Sequence, residues 1–143
     1  MKIRLFEIAA AALLIAAPVQ AATVVVKNAW FRSLPANLPA GGYFTLHNSG
    51  ADTVTLTGAE SPACGMLMLH KSESRNGTGM MMDVPTIPVS AGSDLKFSPG
   101  SYHLMCMDPK AAMKPGATVS VTLEFSDGTK THVPFAVKNA KGE

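Results

Sequence analysis

The sequence predicts an all-β sandwich or barrel. Short runs rich in β-branched and aromatic residues recur along the chain, and clusters of Gly, Pro, Asn, Asp and Ser separate them. Past the N-terminal segment, no stretch keeps a helical period over ten or more residues.

The first segment, "MKIRLFEIAAAALLIAAPVQAA", reads as an export signal, not as part of the fold. Lys2 and Arg4 are its basic start, Ile8 to Ala17 its apolar run, and "VQA" places small residues for cleavage after Ala21. The apolar run is shorter than the roughly 20 residues that a membrane span requires. Glu7 is an unusual neighbour for it and leaves a retained anchor as the alternative. No lipobox-type cysteine follows, so a lipid-anchored start is not expected. The expected organisation is a signal peptide over 1–21 and one domain over 22–143.

The runs then follow in order. "TVVVKNAWFR" (23–32) is a β-branched and aromatic strand, and "SLPANLPAGG" is a Pro/Gly loop. "YFTLHN" (43–48) and "TVTLTGA" (53–59) alternate about the turn "SGAD". "MLMLHKS" (66–72) and "MMMDV" (80–84) flank "RNGTG", a hairpin signal. "TIPV", "DLKF" and "YHLMCM" come next, with "SPGS" between the last two. "PKAAMKPG" (109–116) is a loop or a single helical turn. "TVSVTLEF" (118–125) and "KTHVPFAV" (130–137) close the chain as a hairpin about "SDGT". The prolines sit mostly at run boundaries, as strands require.

Charge excludes some functions. Removing Lys2, Arg4 and Glu7 lowers the net charge from +2 to +1, and no basic stripe is present to neutralise phosphates or an anionic membrane. No Ser/His/Asp spacing, paired carboxylates or nucleotide loop marks an enzyme. Two cysteines, Cys64 and Cys106, would meet an oxidising compartment after export. They read as a disulfide or as core thiols, with a metal-ligand role for one of them the other option. They lack the C-x-x-C spacing of a redox pair.

The distinctive feature is sulfur. Apart from Met1, every methionine lies between Met66 and Met113, whereas gap-filling methionines would be scattered over the strands. On a strand, residues i and i+2 share a face. His103, Met105 and Met107 therefore share one face, and Tyr102, Leu104 and Cys106 the other. Met66, Met68 and His70 share a face opposite Leu67 and Leu69. Leucines point inward on both strands, and imidazoles and thioethers sit on the outer or rim face. Thioethers are soft, neutral donors suited to Cu(I), and imidazole suits copper generally. Zinc favours His, Cys and carboxylate, and calcium and magnesium favour oxygen.

His70, Met81, His103 and Met105 form the spacing H-x10-M-x21-H-x-M. With "NAWFRSLP", "AGGYFTLHNSG", "SPACGMLMLHKS" and "LKFSPGSYHLMCMDPK", this resembles the PCuAC-type periplasmic copper chaperones over about residues 27–138. The resemblance implies a cupredoxin-like Greek-key β-sandwich. It also implies one Cu(I) held by His70, Met81, His103 and Met105, and a monomer is expected while the sequence leaves the oligomeric state open. The partner it implies is a copper-accepting protein, such as a cytochrome c oxidase subunit or another copper chaperone, with delivery toward the oxidase's binuclear copper centre. Met80 and Met82 flank Met81 and are alternatives for that ligand. Some relatives carry a His/Met-rich tail proposed to hold Cu(II). "VKNAKGE" has no such ligands, so no second site of that kind is expected.

Met66, Met68 and Met107 are expected as a hydrophobic collar that keeps water from the ion. His47 and His132 have no sulfur neighbours and read as ordinary histidines, and Trp30 as core. Copper buffering without a dedicated recipient needs the same ligands and is the alternative function. A blue-copper electron carrier would need a Cys thiolate before the late His and Met, whereas here His103 and Met105 precede Cys106.

Overall fold

A computed structural model describes residues 23–143, and the expected signal peptide over 1–21 lies outside the described residues. Ten strands follow one another: β1 (Val24–Arg32), β2 (Ala40–Asn48), β3 (Val54–Glu60), β4 (Cys64–Arg75), β5 (Thr78–Asp83), β6 (Ile87–Val89), β7 (Asp94–Phe97), β8 (Tyr102–Pro109), β9 (Thr118–Phe125) and β10 (Lys130–Lys138). A single 3-10 turn at Pro35–Asn37 interrupts the β1–β2 loop. "PKAAMKPG" forms turns, not helix. No described helix is long and apolar enough to cross a membrane.

Hydrogen bonds link the strands in the order β5-β4-β8-β2-β1-β10-β9-β3-β6, with β7 paired to β2. β1 runs parallel to β10, and β3 pairs with β9, so sequence-distant strands become neighbours as in a Greek key. The path folds back over itself. Asn48, at the end of β2, donates through its side-chain amide to the Val89 carbonyl of β6, 3.0 Å away, although these strands are far apart along the path. One core fills the space between the layers, and Phe31, Phe44, Leu46, Leu56, Leu104, Leu123 and Phe135 lie at its centre. The fold is an all-β sandwich, as the strand runs predict.

Alternation explains the packing. In β9, Val119, Val121, Leu123 and Phe125 are buried, with polar residues between them, and in β10, Val133, Phe135 and Val137 are buried, with exposed Pro134 and Ala136 between them. Pro134 interrupts β10 at little cost, because pairing with β1 begins only at Ala136 and the β9 side alone runs past it.

Three local features differ from the sequence reading, and each has a physical cause. β2 begins at Ala40, so Gly41 and Gly42 belong to the strand and not to the loop. A Cβ on Gly42 would stand 2.6 Å from Phe31 Cε1 and 3.0 Å from Leu104 Cβ, so the missing side chain is what admits the core rings. Trp30 is not core. It lies half-exposed, 4.8 Å from the Tyr43 ring, with Arg32 and Lys138 over its face. Met113, by contrast, is buried in the core and does not join the other methionines.

Candidate metal centre

Strands β4, β8 and β5 build the site. β4 and β8 pair antiparallel, so that His70 faces His103, Met68 faces Met105 and Met66 faces Met107. Directly opposed residues share a sheet face. Leu67, Leu69, Leu104 and Cys106 occupy the other face and are buried in the core. The apolar side therefore fixes the register, since a slip of one residue would put the leucines in water.

β5 joins through a two-residue hairpin loop. Asn76 and Gly77 both have positive φ (51° and 76°), the conformation of a type I′ turn. This turn sets Arg75 opposite Thr78, Ser72 opposite Met81 and His70 opposite Asp83. Met81 thus shares the face of His70 and His103. Met80 and Met82 stand opposite Glu73 and Lys71, on the reverse face.

The two imidazoles lie edge to face with ring centroids 5.6 Å apart, and both are buried, His103 at 4% exposure and His70 at 9%. His103 Nδ1 donates to the Ser101 carbonyl at 3.1 Å, which orients the ring and leaves Nε2 with its lone pair free. That Nε2 is buried without a hydrogen-bond partner, as are both ring nitrogens of His70. His70 Nε2 lies 2.7 Å from Asp83 Oδ1, a close approach that does not have hydrogen-bond geometry. Buried polar atoms without partners are costly, and two neighbouring imidazoles in that condition fit a ligand that accepts their lone pairs. Burial lowers the His103 pKa, the Ser101 hydrogen bond opposes that shift, and His70 adds a small further lowering. The ring is thereby kept neutral, the form that binds metal.

Exposure is graded over the thioethers. Met105 and Met68 are half-buried, and Met81 is 64% exposed on β5, the terminal strand of the sheet path. Met66 and Met107 are open to solvent, which does not fit the expected water-excluding collar. Asp83 is a residue that sequence reasoning missed. Its signal was its place two residues after Met81, on the same strand face.

Cys64 and Cys106 form a disulfide that joins β4 to β8. No thiolate is then free for a blue-copper centre, and the described residues have no unpaired cysteine. They also assemble no group of three His, Cys, Asp or Glu for a zinc- or calcium-type cage. His47 pairs with Asp94 at 2.6 Å and His132 with Thr122 at 2.9 Å, as ordinary surface histidines do. The clefts lined by Ser33, Leu34 and Pro115 and by Thr118, His132 and Pro134 hold none of the site residues.

Comparison with known proteins agrees with this architecture. A family model described as "LpqE-like: Putative lipoprotein LpqE-like" matches residues 24–137. The "Putative lipoprotein Lxx21020" of Leifsonia xyli subsp. xyli is 36% identical over 124 residues, covering 86% of this chain and 74% of that protein. The structure of a "Copper-bound PCuAC domain from PmoF2" superposes with a TM-score of 0.69 at 19% identity, covering 85% of this chain and 97% of that one, a likeness of fold. The solution structure of "CuI-DR1885" from Deinococcus radiodurans superposes with a TM-score of 0.58 at 30% identity, covering 77% of this chain and 74% of that one.

Proposed function

The chain belongs to the LpqE-like, PCuAC-type family, and we propose that it is a copper metallochaperone that carries one Cu(I) on His70, Met81, His103 and Met105. The observation that carries this reading is the pair of buried imidazoles with unpartnered nitrogens beside two thioethers on one sheet face. The copper-bound and CuI-bound relatives support the choice of metal.

Each residue has a distinct task. His103 binds through Nε2, since Nδ1 is held by Ser101. Asp83 stands 2.7 Å from His70 Nε2, which leaves Nδ1 as the nitrogen for the ion. The carboxylate also offsets the single positive charge that four neutral donors leave on the site. Met105 and Met81 supply soft sulfur that needs no deprotonation and favours Cu(I).

The gradient of exposure suits handover. Met81 is the most open donor and stands on an edge strand, so an incoming ligand displaces it first. Met105 follows, and the buried histidines release last. Copper stays Cu(I) throughout, and bonds form and break one at a time. The protein performs no catalysis, and copper is its cargo. The chain acts as a single domain after export to the periplasm, in keeping with the lipoprotein names of its family and relative. The recipient is a copper-accepting protein, such as the oxidase subunit that holds the binuclear copper centre or a second chaperone.

The test is anaerobic competition for Cu(I) with a chromophoric chelator, followed by mixing with a copper-free acceptor domain. The wild type should withdraw one equivalent and pass it on, and a His70→Ala/His103→Ala variant should withdraw none. Equal competition by both proteins would overturn the reading.

A further inference from the structure

The pairing that aligns the histidines continues along β4 and β8. His70 faces His103, Met68 faces Met105 and Met66 faces Met107, three successive rungs on one face. The outermost rung is the least expected, because Met66 is 58% exposed and Met107 38%. Two thioether side chains set opposite each other in water are not core packing, and burial does not account for them.

Cβ atoms of directly opposed residues stand about 4.5–5.5 Å apart. Methionine is unbranched with three rotatable bonds, so two sulfurs so placed can converge on one soft ion. Successive rungs on one face are separated by about 6.7 Å. The outer rung therefore lies about 13 Å from the histidine pair, too far for one ion to be shared between them.

We propose that Met66 and Met107 form a second soft-metal site, an outer station at which Cu(I) is first captured before it moves inward. This rests on the four-donor reading for its destination. Bonds to Met66 and Met107 break as bonds to Met68 and Met105 form, and the ion then reaches His103 and His70. Copper remains Cu(I), and no proton or electron moves. Two exposed neutral donors hold the ion more weakly than four partly buried ones, so the gradient runs from the wet end of the ladder to the dry end.

Methionine-methyl NMR tests the proposal. The protein, 13C-labelled at its methionine methyls, is titrated anaerobically with Cu(I) supplied as its acetonitrile complex. The first equivalent should shift the Met81 and Met105 methyls, and the second those of Met66 and Met107. A Met66→Leu/Met107→Leu variant keeps side-chain size at two exposed positions. It should retain the first equivalent and lose the second. Met66 and Met107 methyls that stay unmoved through the second equivalent, or a second equivalent bound equally by the variant, would overturn the outer site. A response at Met66 and Met107 with none at Met81 and Met105 would refute the four-donor reading and leave the outer site standing.

Discussion

Removing the Cys64–Cys106 disulfide should cost stability without costing the metal. The bridge spans 42 residues of chain and joins the two strands that carry His70, Met68, His103 and Met105. In the chain-entropy model, freeing a loop of that length lowers stability by about 4 kcal/mol at 25 °C. That is a large share of the roughly 5–15 kcal/mol that a domain has. For about 120 ordered residues the unfolding entropy is near 0.25 kcal/mol/K, so Tm should fall by about 16 °C. Cys106 packs on the core face, opposite Met105 and Met107. A Cys64→Ala/Cys106→Ala variant should therefore still bind one Cu(I) at temperatures where it is folded. Thermal unfolding followed by circular dichroism gives the first quantity, and chelator competition the second. A Tm loss below about 4 °C would show that the β4–β8 ladder already holds the loop closed. Loss of copper binding by the folded variant would place a cysteine among the ligands and refute the division between faces.

Met81→Leu should weaken Cu(I) binding, whereas Met80→Leu and Met82→Leu, on the reverse face, should leave it nearly unchanged in the same competition assay. Asp83→Asn should lower Cu(I) affinity by about tenfold, the low end for an outer-shell partner because Asp83 is largely exposed. Because burial lowers the His103 pKa, proton competition for Cu(I) at that ligand should begin only beneath the ordinary histidine range, read from the His103 ring NMR signals against pH. The stability contribution of His103 has the same sign. It is fully present above the unfolded value and is lost as pH falls toward the folded one, which urea unfolding over pH 7 to 5 would follow. Gly42→Ala should destabilise by about 1–3 kcal/mol, read from the urea midpoint, because its methyl would overlap Phe31 and Leu104.

The strands and the two-faced pattern of β4 and β8 were legible because alternation is a local property. Leu67, Leu69 and Leu104 mark the core side wherever their strands sit. Alternation alone did not say which of three consecutive methionines lies on the His70 face, and the register set by the Asn76–Gly77 turn puts Met81 there. The burial of His70 and His103 also escaped, because a polar residue on an outward face reads as exposed until its neighbours are placed. Gly41 and Gly42 look like loop by composition, and their place in β2 follows from rings supplied by Phe31 and Tyr43. Trp30 illustrates the opposite case. Its size suggests core, but Tyr43, Arg32 and Lys138 stabilise it on the surface. Cys64 and Cys106 could be paired by chemistry alone only as one of several options, and the juxtaposition of β4 and β8 is what closes the bond.

X-ray absorption at the copper edge reads which atoms hold the ion. Protein loaded with one Cu(I) should show a mixed shell of imidazole nitrogen and thioether sulfur, two of each. A His103→Ala/Met105→Ala variant should lose one nitrogen and one sulfur, or release the metal. A shell without sulfur, or one that the variant leaves unchanged, would contradict the assignment of copper to this face.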